Sequence, residues 1–197
     1  TDPYQPAERH FGVTRSILEA FSRAEGLELS ITTKSPLILR DQELLVALDR
    51  AHSVTAQITI TTLDHGLARR LEQRAPDPSS RLGIVRRLSA AGIRTQVLCM
   101  PLMPGINDRE DVLAPLFAAA RDAGASDVLA SPLFLRRAAR DRFMPWLSSE
   151  FPDLEPTYRR LYSRRDYLSS DARDRLLENF RHLRVLYGFP RNQLGRG

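Results

Sequence analysis

A parallel α/β fold is predicted for this chain, and three observations predict it. β-branched runs near residues 29, 56, 95 and 127 recur at roughly thirty-residue intervals, each followed by a loop and an amphipathic helix; that is the rhythm of βαβ units. No Gly-rich dinucleotide or phosphate-loop fingerprint follows any of these runs, which counts against a nucleotide-binding doubly wound sheet and favours a partial barrel. After Pro132 the rhythm stops and helical periodicity takes over. The expected architecture is therefore an incomplete TIM-like barrel over residues 1–135 followed by a helical C-terminal region over 136–197.

The segment Thr1-Asp2-Pro3-Tyr4-Gln5-Pro6-Ala7-Glu8 reads as the loop after a strand that the chain does not contain, because residues before proline favour extended or turn backbone. Ile17, Leu18, Phe21 and Ala24 then share one helical face, with Thr14 as the expected cap and Gly26 as the stop. Leu29 to Thr33 is strand-like and runs into Lys34-Ser35-Pro36. Asp41 is expected to open a helix carrying Leu44, Leu45 and Leu48. Ala56, Ile58 and Ile60 alternate as a second strand, after which Asp64 is placed to cap a short helix through Leu67 and Leu71.

Asp77 before Pro78 is a favourable cap and first-turn pair for a helix through Leu82, Val85 and Leu88 that stops at Gly92. Ile93 to Met100 is a third strand. The loop Pro101 to Asp108 follows, with Asn107 or Asp108 expected to cap a helix ending at Gly124. Asp127 to Ser131 is a fourth strand. Residues 136–150, 153–165 and 171–187 read as helices, the last with Leu176, Leu177, Phe180, Leu183 and Tyr187 on its apolar face, and Arg191 to Gly197 reads as a frayed end.

Charge is distributed unevenly. Residues 1–135 carry 15 basic and 16 acidic side chains, whereas 136–197 carry 14 basic and 8 acidic, so the net charge of +5 resides in the C-terminal third. That third also holds nine of the fourteen aromatic residues, among them Trp146, Tyr158, Tyr162, Tyr167 and Tyr187. Arginines interleaved with aromatics suit a nucleic-acid surface; they equally suit helices with aromatics inside and arginines outside. Apolar runs stay well short of the roughly 18 residues of a membrane span, and no signal-peptide pattern is present. The plain expectation is a cytoplasmic protein with no membrane partner.

Lys34 is the only lysine among 29 basic residues. Where arginine serves every other cationic position, one lysine points to a place that needs a compact ammonium, and this one follows a predicted strand, where α/β folds collect their ligand contacts. The predicted strand-end loops assemble a polar set: Asp2, Tyr4, Gln5 and Glu8; Thr33, Lys34 and Ser35; Thr59, Thr61 and Asp64; and Pro101 to Asp108. Such a set suits a zwitterionic amino-acid group, with Asp2 or Glu8 on its ammonium and Lys34 on its carboxylate. The four histidines show no metal-ligand spacing, and the single cysteine, Cys99, lies in an apolar strand and excludes a cluster held by this chain alone.

These loops, in this order, resemble the radical S-adenosylmethionine enzymes, specifically the spore photoproduct lyase-like family also called DNA repair photolyases. The matching stretches are Thr1 to Glu8, Ile31-Thr32-Thr33-Lys34-Ser35, Ile58-Thr59-Ile60-Thr61-Thr62-Leu63-Asp64, Glu72-Gln73-Arg74-Ala75-Pro76 and Pro101 to Asp108. With Arg81 to Gly92 they span residues 1 to about 135, and a weaker match continues through Phe143-Met144-Pro145-Trp146-Leu147. The resemblance implies a partial (β/α)6 barrel and a 4Fe–4S cluster that cleaves S-adenosylmethionine to a 5′-deoxyadenosyl radical. It places Thr1 and Asp2 near the cofactor's amino group and Lys34 at its carboxylate. Thr59 and Thr61 fall near the ribose or carboxylate, and Pro104, Gly105 and Ile106 beside the adenine.

The departure from the family pattern is the absence of its Cys-x-x-x-Cys-x-x-Cys loop. The expectation is thus the C-terminal part of a radical enzyme, with cluster ligands on a missing N-terminal segment and this chain inactive alone. Its start at Thr1 fits a truncated frame or a post-intein segment, since Thr is an acceptable first downstream residue for splicing. The basic tail and the family's name point to DNA as the substrate. Two rivals remain: a nucleic-acid-binding module on a degenerate barrel, and an aldolase-type barrel using Lys34 as a Schiff-base nucleophile.

Overall fold

The computed structural model describes residues 2–163 and 165–190. Thr1 and residues 191–197 therefore lie outside it, as does the expectation of a frayed end. In chain order the elements are α1 (Glu8–Phe11), α2 (Val13–Phe21), β1 (Glu28–Thr33), a 3-10 turn (Pro36–Asp41), α3 (Gln42–Leu48), β2 (Ser53–Thr59), α4 (His65–Leu71) and α5 (Pro78–Ala90). They continue with β3 (Arg94–Leu102), α6 (Glu110–Asp122), β4 (Asp127–Pro132), α7 (Arg137–Glu150), a 3-10 turn (Pro152–Leu154), α8 (Glu155–Leu161) and α9 (Ser170–Leu186).

The strands form one parallel sheet in the order β1-β2-β3-β4. Neighbours in sequence are neighbours in space, so each strand returns by a helical crossover to the next position, as parallel pairing requires. Alternation along the strands divides the sheet into two unlike faces. One face carries Ile31, Val54, Ala56, Ile58, Val97, Cys99, Val128 and Ala130 into the main core, where they meet Leu45, Leu88, Leu116 and Phe117 from the helices. On the other face the register aligns Thr32, Gln57 and Gln96 across three strands. Their side chains form a polar ladder: the Thr32 hydroxyl donates to Gln57 Oε1 at 2.7 Å, and Gln57 Nε2 donates to Gln96 Oε1 at 3.0 Å.

The C-terminal helices close two cores. From α9, Leu176, Leu177, Phe180 and Leu183 join the main core, with Phe180 tilted against Phe117 at 5.0 Å between ring centres. Tyr158 and Tyr162 of the α8 region join a second core with Met103, Ile106, Leu135 and Leu147. Both phenols are buried and donate to backbone: Tyr158 to the Pro104 carbonyl at 2.9 Å, Tyr162 to the Leu133 carbonyl at 2.7 Å. Most of the tail's aromatic side chains are thus packing groups. Among the described residues no helix is long and apolar enough to cross a membrane.

Several local expectations are corrected. Thr14 does not cap α2: Gly12, at φ 61°, occupies that position, and the Thr14 hydroxyl donates instead to the Pro3 carbonyl at 2.6 Å. The helix ends at Phe21 rather than running to Gly26, and Ile17 is half exposed because α2 packs on the outside of α3. Asp41 makes no cap bond to α3. Two arginines outcompete the backbone amides for its buried carboxylate, which takes Arg15 at 2.7 Å, Arg40 at 2.9 Å and the Tyr4 hydroxyl at 3.1 Å. Neither Asn107 nor Asp108 caps α6, because both bond within their own loop. By contrast Asp64 accepts from the Leu67 amide at 3.0 Å and Asp77 from the Ser79 amide at 2.8 Å, the expected caps of α4 and α5.

Candidate functional site

The C-terminal ends of β1 and β2 bring several of the sequence-selected residues into one bonded network. The Asp2 carboxylate sits under the end of β1, where Oδ1 accepts from the Tyr4 amide at 2.9 Å and the Thr33 hydroxyl at 2.6 Å. Its other oxygen accepts from the Lys34 amide at 2.9 Å. The anion thereby pins the turn that launches Lys34. Asp2 serves as a positioning group for that turn rather than standing ready for a ligand cation.

Lys34 reaches across to α4's end, where its ammonium pairs closely with Glu72 Oε1. The second Glu72 oxygen lies 2.7 Å from Arg81 Nη2, an ion pair whose angle falls outside hydrogen-bond geometry. Arg81 is only 2% exposed. Two of its donors bond to the backbone: Nη1 donates to the Thr59 carbonyl at 3.0 Å, and Nε to the Pro76 carbonyl at 2.7 Å. The route from Asp2 through Lys34, Glu72 and Arg81 to Thr59 therefore crosses from the end of β1 to the end of β2.

A cleft of about 520 Å³ opens beside this network. Its charged lining is Asp2, Arg9, Lys34 and Arg74. Lys34 is already paired with Glu72, and Asp2 keeps its charge while accepting from neutral donors, so it is Arg9 and Arg74 that tip the cleft towards an anionic group. Glu8, the other carboxylate proposed for a ligand ammonium, is unavailable. It is buried and accepts from Arg40 at 2.8 Å and from the Thr14 amide at 2.9 Å. Burial works to raise its pKa, but Arg40 and the Thr14 and Arg15 amides outweigh that and hold it at about 2.

The remaining candidates occupy the neighbouring strand ends. Thr61 is buried, and its carbonyl accepts from Asn107 Nδ2 at 3.1 Å and from the Cys99 thiol at 3.5 Å. Asn107 also donates to the Pro101 carbonyl at 3.1 Å and accepts from the Met103 amide at 2.6 Å. One buried amide thus ties the loop after β3 to the chain leaving β2. Pro104, Gly105 and Ile106 lie further along that loop. Tyr158 holds Pro104, the Leu154 side chain lies over Gly105, and Ile106 is buried in the second core. These three sit under the C-terminal helices and do not line the Asp2–Lys34 cleft.

Sequence reasoning missed Glu72 and Arg81 as members of the site, and it selected Asn107 with the Pro101 to Asp108 loop but expected it or Asp108 to be a cap. Glu72 and Arg81 lie in stretches quoted for the resemblance, yet nothing local marks them, since the partners that tie them to the strand ends, Lys34 and Thr59, stand 38 and 22 residues away. A second unforeseen group lies at the surface: His65 Nδ1 meets Asp77 Oδ2 at 2.5 Å, and His65 Nε2 lies 3.5 Å from the Ser79 hydroxyl. The order is that of an acid–base–nucleophile relay, but all three side chains stand in solvent, where such a relay loses its electrostatic advantage. Asp77 is already engaged as a helix cap. Among the described residues no group of three or more His, Cys, Asp or Glu is arranged around a metal.

No family model matches the chain. A curated protein of Mycobacterium tuberculosis, described as uncharacterized, is 34% identical over 187 residues, which is 95% of this chain and 55% of that protein. An uncharacterized protein of Methanocaldococcus jannaschii is 31% identical over 113 residues, covering 57% of this chain and 42% of the relative. An uncharacterized protein of Acidianus two-tailed virus is 35% identical over 111 residues, covering 56% and 35%. The chain thus spans about half the length of the curated mycobacterial relative it matches.

Proposed function

We propose that this chain is the C-terminal part of a radical S-adenosylmethionine enzyme of the spore photoproduct lyase-like kind, contributing part of the S-adenosylmethionine pocket. The observation that carries the reading is the joining of Asp2, Lys34 and Thr59 in one network at the C-terminal ends of adjacent parallel strands. Ligand sites of parallel α/β folds gather at those ends. Sequential strand order supports the partial-barrel form of the fold. It contains no reversal of the kind that creates a nucleotide crevice in doubly wound sheets, and the polar Thr32–Gln57–Gln96 row suits a lined interior.

The donor set fits the cofactor's methionine carboxylate: Arg9 and Arg74, which meet no carboxylate among the described residues, supply positive charge around a cleft of sufficient size, and Lys34, shared with Glu72, stands at its edge. When bound and reduced, S-adenosylmethionine supplies a carbon-centred radical. This chain's part is to bind and orient. Asp2 fixes the Lys34 turn, Glu72 holds the ammonium in place, and Arg81 locks Glu72 to the end of β2. A 4Fe–4S cluster does not fit the chain's own residues. Cys99 is its single cysteine, fully buried in β3, with burial pushing its thiol up to about 12. The reading therefore assigns the cluster to a further segment with the Cys-x-x-x-Cys-x-x-Cys loop, and DNA stands as the proposed substrate.

The test joins this chain to such a segment and measures S-adenosylmethionine binding by calorimetry after anaerobic iron–sulfur reconstitution. Binding that weakens about tenfold or more in Lys34→Gln is expected, since the change removes a charge-assisted contact. A stoichiometric 4Fe–4S centre on the isolated chain, or binding indifferent to Lys34, overturns the reading.

A further inference from the structure

A second cleft, of about 350 Å³, opens at the ends of β2 to β4 between the C-terminal end of α4 and the face of α7. Its walls are largely apolar: Met103 and Leu133 stand beside the rings of Phe134, Phe143 and Trp146. The rings come from two elements and are held by their neighbours. Phe143 and Trp146 lie 5.4 Å apart, Trp146 meets Phe151 edge-on at 5.7 Å, and Phe134 stacks on Tyr167 at 5.8 Å. Phe134 is nevertheless 50% exposed. Ordered rings left open to water around a concavity are the usual lining of a small-molecule site.

The polar groups of the cleft select among small molecules. Arg70 and Arg142 both line it, and Glu72, the carboxylate at its inner rim, is already neutralised by Lys34 and Arg81. Arg70 is shared with Glu150 at 3.5 Å and lies over the Phe151 ring. Among the described residues Arg142 meets no carboxylate and the Trp146 indole N–H meets no acceptor. Arg142 is exposed at the rim of the aromatic cleft with its guanidinium free of carboxylates, an arrangement that suits a ligand with a ring and an anionic acceptor group.

We infer that this cleft binds a small aromatic acid, its ring packed against Phe134, Phe143 and Trp146 and its anionic group held by Arg142. The inference stands on the cleft's own lining and does not depend on the cofactor reading. The cleft shares Glu72 with the Lys34 network and Thr61 with the cofactor candidates, but its test needs neither cluster nor S-adenosylmethionine.

Trp146 is the only tryptophan of the chain, so its fluorescence reports on this cleft alone. The probe is anilinonaphthalene sulfonate, an aromatic anion, with phenyl-naphthylamine as its uncharged counterpart. The expected result is quenching of Trp146 by energy transfer to the bound sulfonate. Affinity for the sulfonate should fall about tenfold or more in Arg142→Glu while that for the neutral amine changes less than about twofold. Phe134→Ala should weaken both. Both substitutions are at exposed positions, and unchanged circular dichroism verifies folding. Sulfonate binding that leaves Trp146 unquenched, equal affinity for the neutral amine, or indifference to Arg142→Glu overturns the inference. So does displacement of the sulfonate by a long oligodeoxyadenylate but not by adenosine monophosphate, which would make the cleft part of a nucleic-acid track.

Discussion

Replacing Glu72 by glutamine separates the part of the network that holds the fold from the part that faces a ligand. Glu72 is 15% exposed and stands between two cations of opposite character: Arg81, 2% exposed, and Lys34, whose side chain is 36% exposed. Removing one member of a buried ion pair costs about 3–5 kcal/mol, because the other charge is left without compensation. Arg81 keeps the Thr59 and Pro76 carbonyls, so the low end applies, about 3 kcal/mol. Lys34 is solvated, and Lys34→Gln should cost about 0–1 kcal/mol. For a chain of this size each kcal/mol lowers Tm by about 2–4 °C, so Glu72→Gln should melt about 6–12 °C lower. The same slope puts Lys34→Gln within about 4 °C of the parent. The double variant Glu72→Gln/Arg81→Met should recover none of the loss, because it also strips the Thr59 and Pro76 carbonyls of their donors. Thermal unfolding followed by circular dichroism reads all three. Equal losses for Glu72→Gln and Lys34→Gln, or a Glu72→Gln change below about 0.5 kcal/mol, would refute the division of roles.

Acid should act through Glu8. Its folded-state pKa of about 2 lies below the ordinary 4.5, so its contribution is complete above about 4.5 and is lost as pH falls towards 2. The stability gap between the parent and Glu8→Gln, measured by urea unfolding, should therefore narrow as pH drops through that window; a constant gap would contradict it. The Cys99 thiol, fully buried with its pKa pushed up to about 12, should resist alkylation in the native state and react fully once guanidinium unfolds the chain. Rapid native labelling would show that β3 opens. Gly105 has φ 76°, and a Cβ there would stand 3.0 Å from Leu154 Cδ2. Gly105→Ala should destabilise by about 1–2 kcal/mol in urea unfolding, and a neutral result would mean that the loop re-forms without that conformation.

The strands and most helices were legible in local patterns. Alternation at Ala56, Ile58 and Ile60 places a strand because a sheet with one buried face demands that period, and β2 follows with Ala56 and Ile58 in the core and Ile60 buried just beyond its end. Asp64 and Asp77 were legible as caps because a cap bond spans only two or three residues. Lys34 could be singled out by its uniqueness alone. Asp41 and Asn107 could not be placed, although local rules favour both as caps. Arg15 and Arg40 claim one, and the Thr61 and Pro101 carbonyls claim the other. The strength of those competitors depends on where distant segments come to lie.

Composition and periodicity were thus enough for a parallel α/β chain with a basic helical end and for a strand-end location of its polar loops. Only the folded arrangement decided that Asp2 supports a turn, that Glu72 and Arg81 complete the Lys34 site, and that Pro104 to Ile106 lie beneath α8. It also decided that Trp146 and Arg142 share an open cleft. Backbone pattern is read out over a few residues, whereas an ion pair or a pocket wall is set by which strand ends the sheet register places side by side.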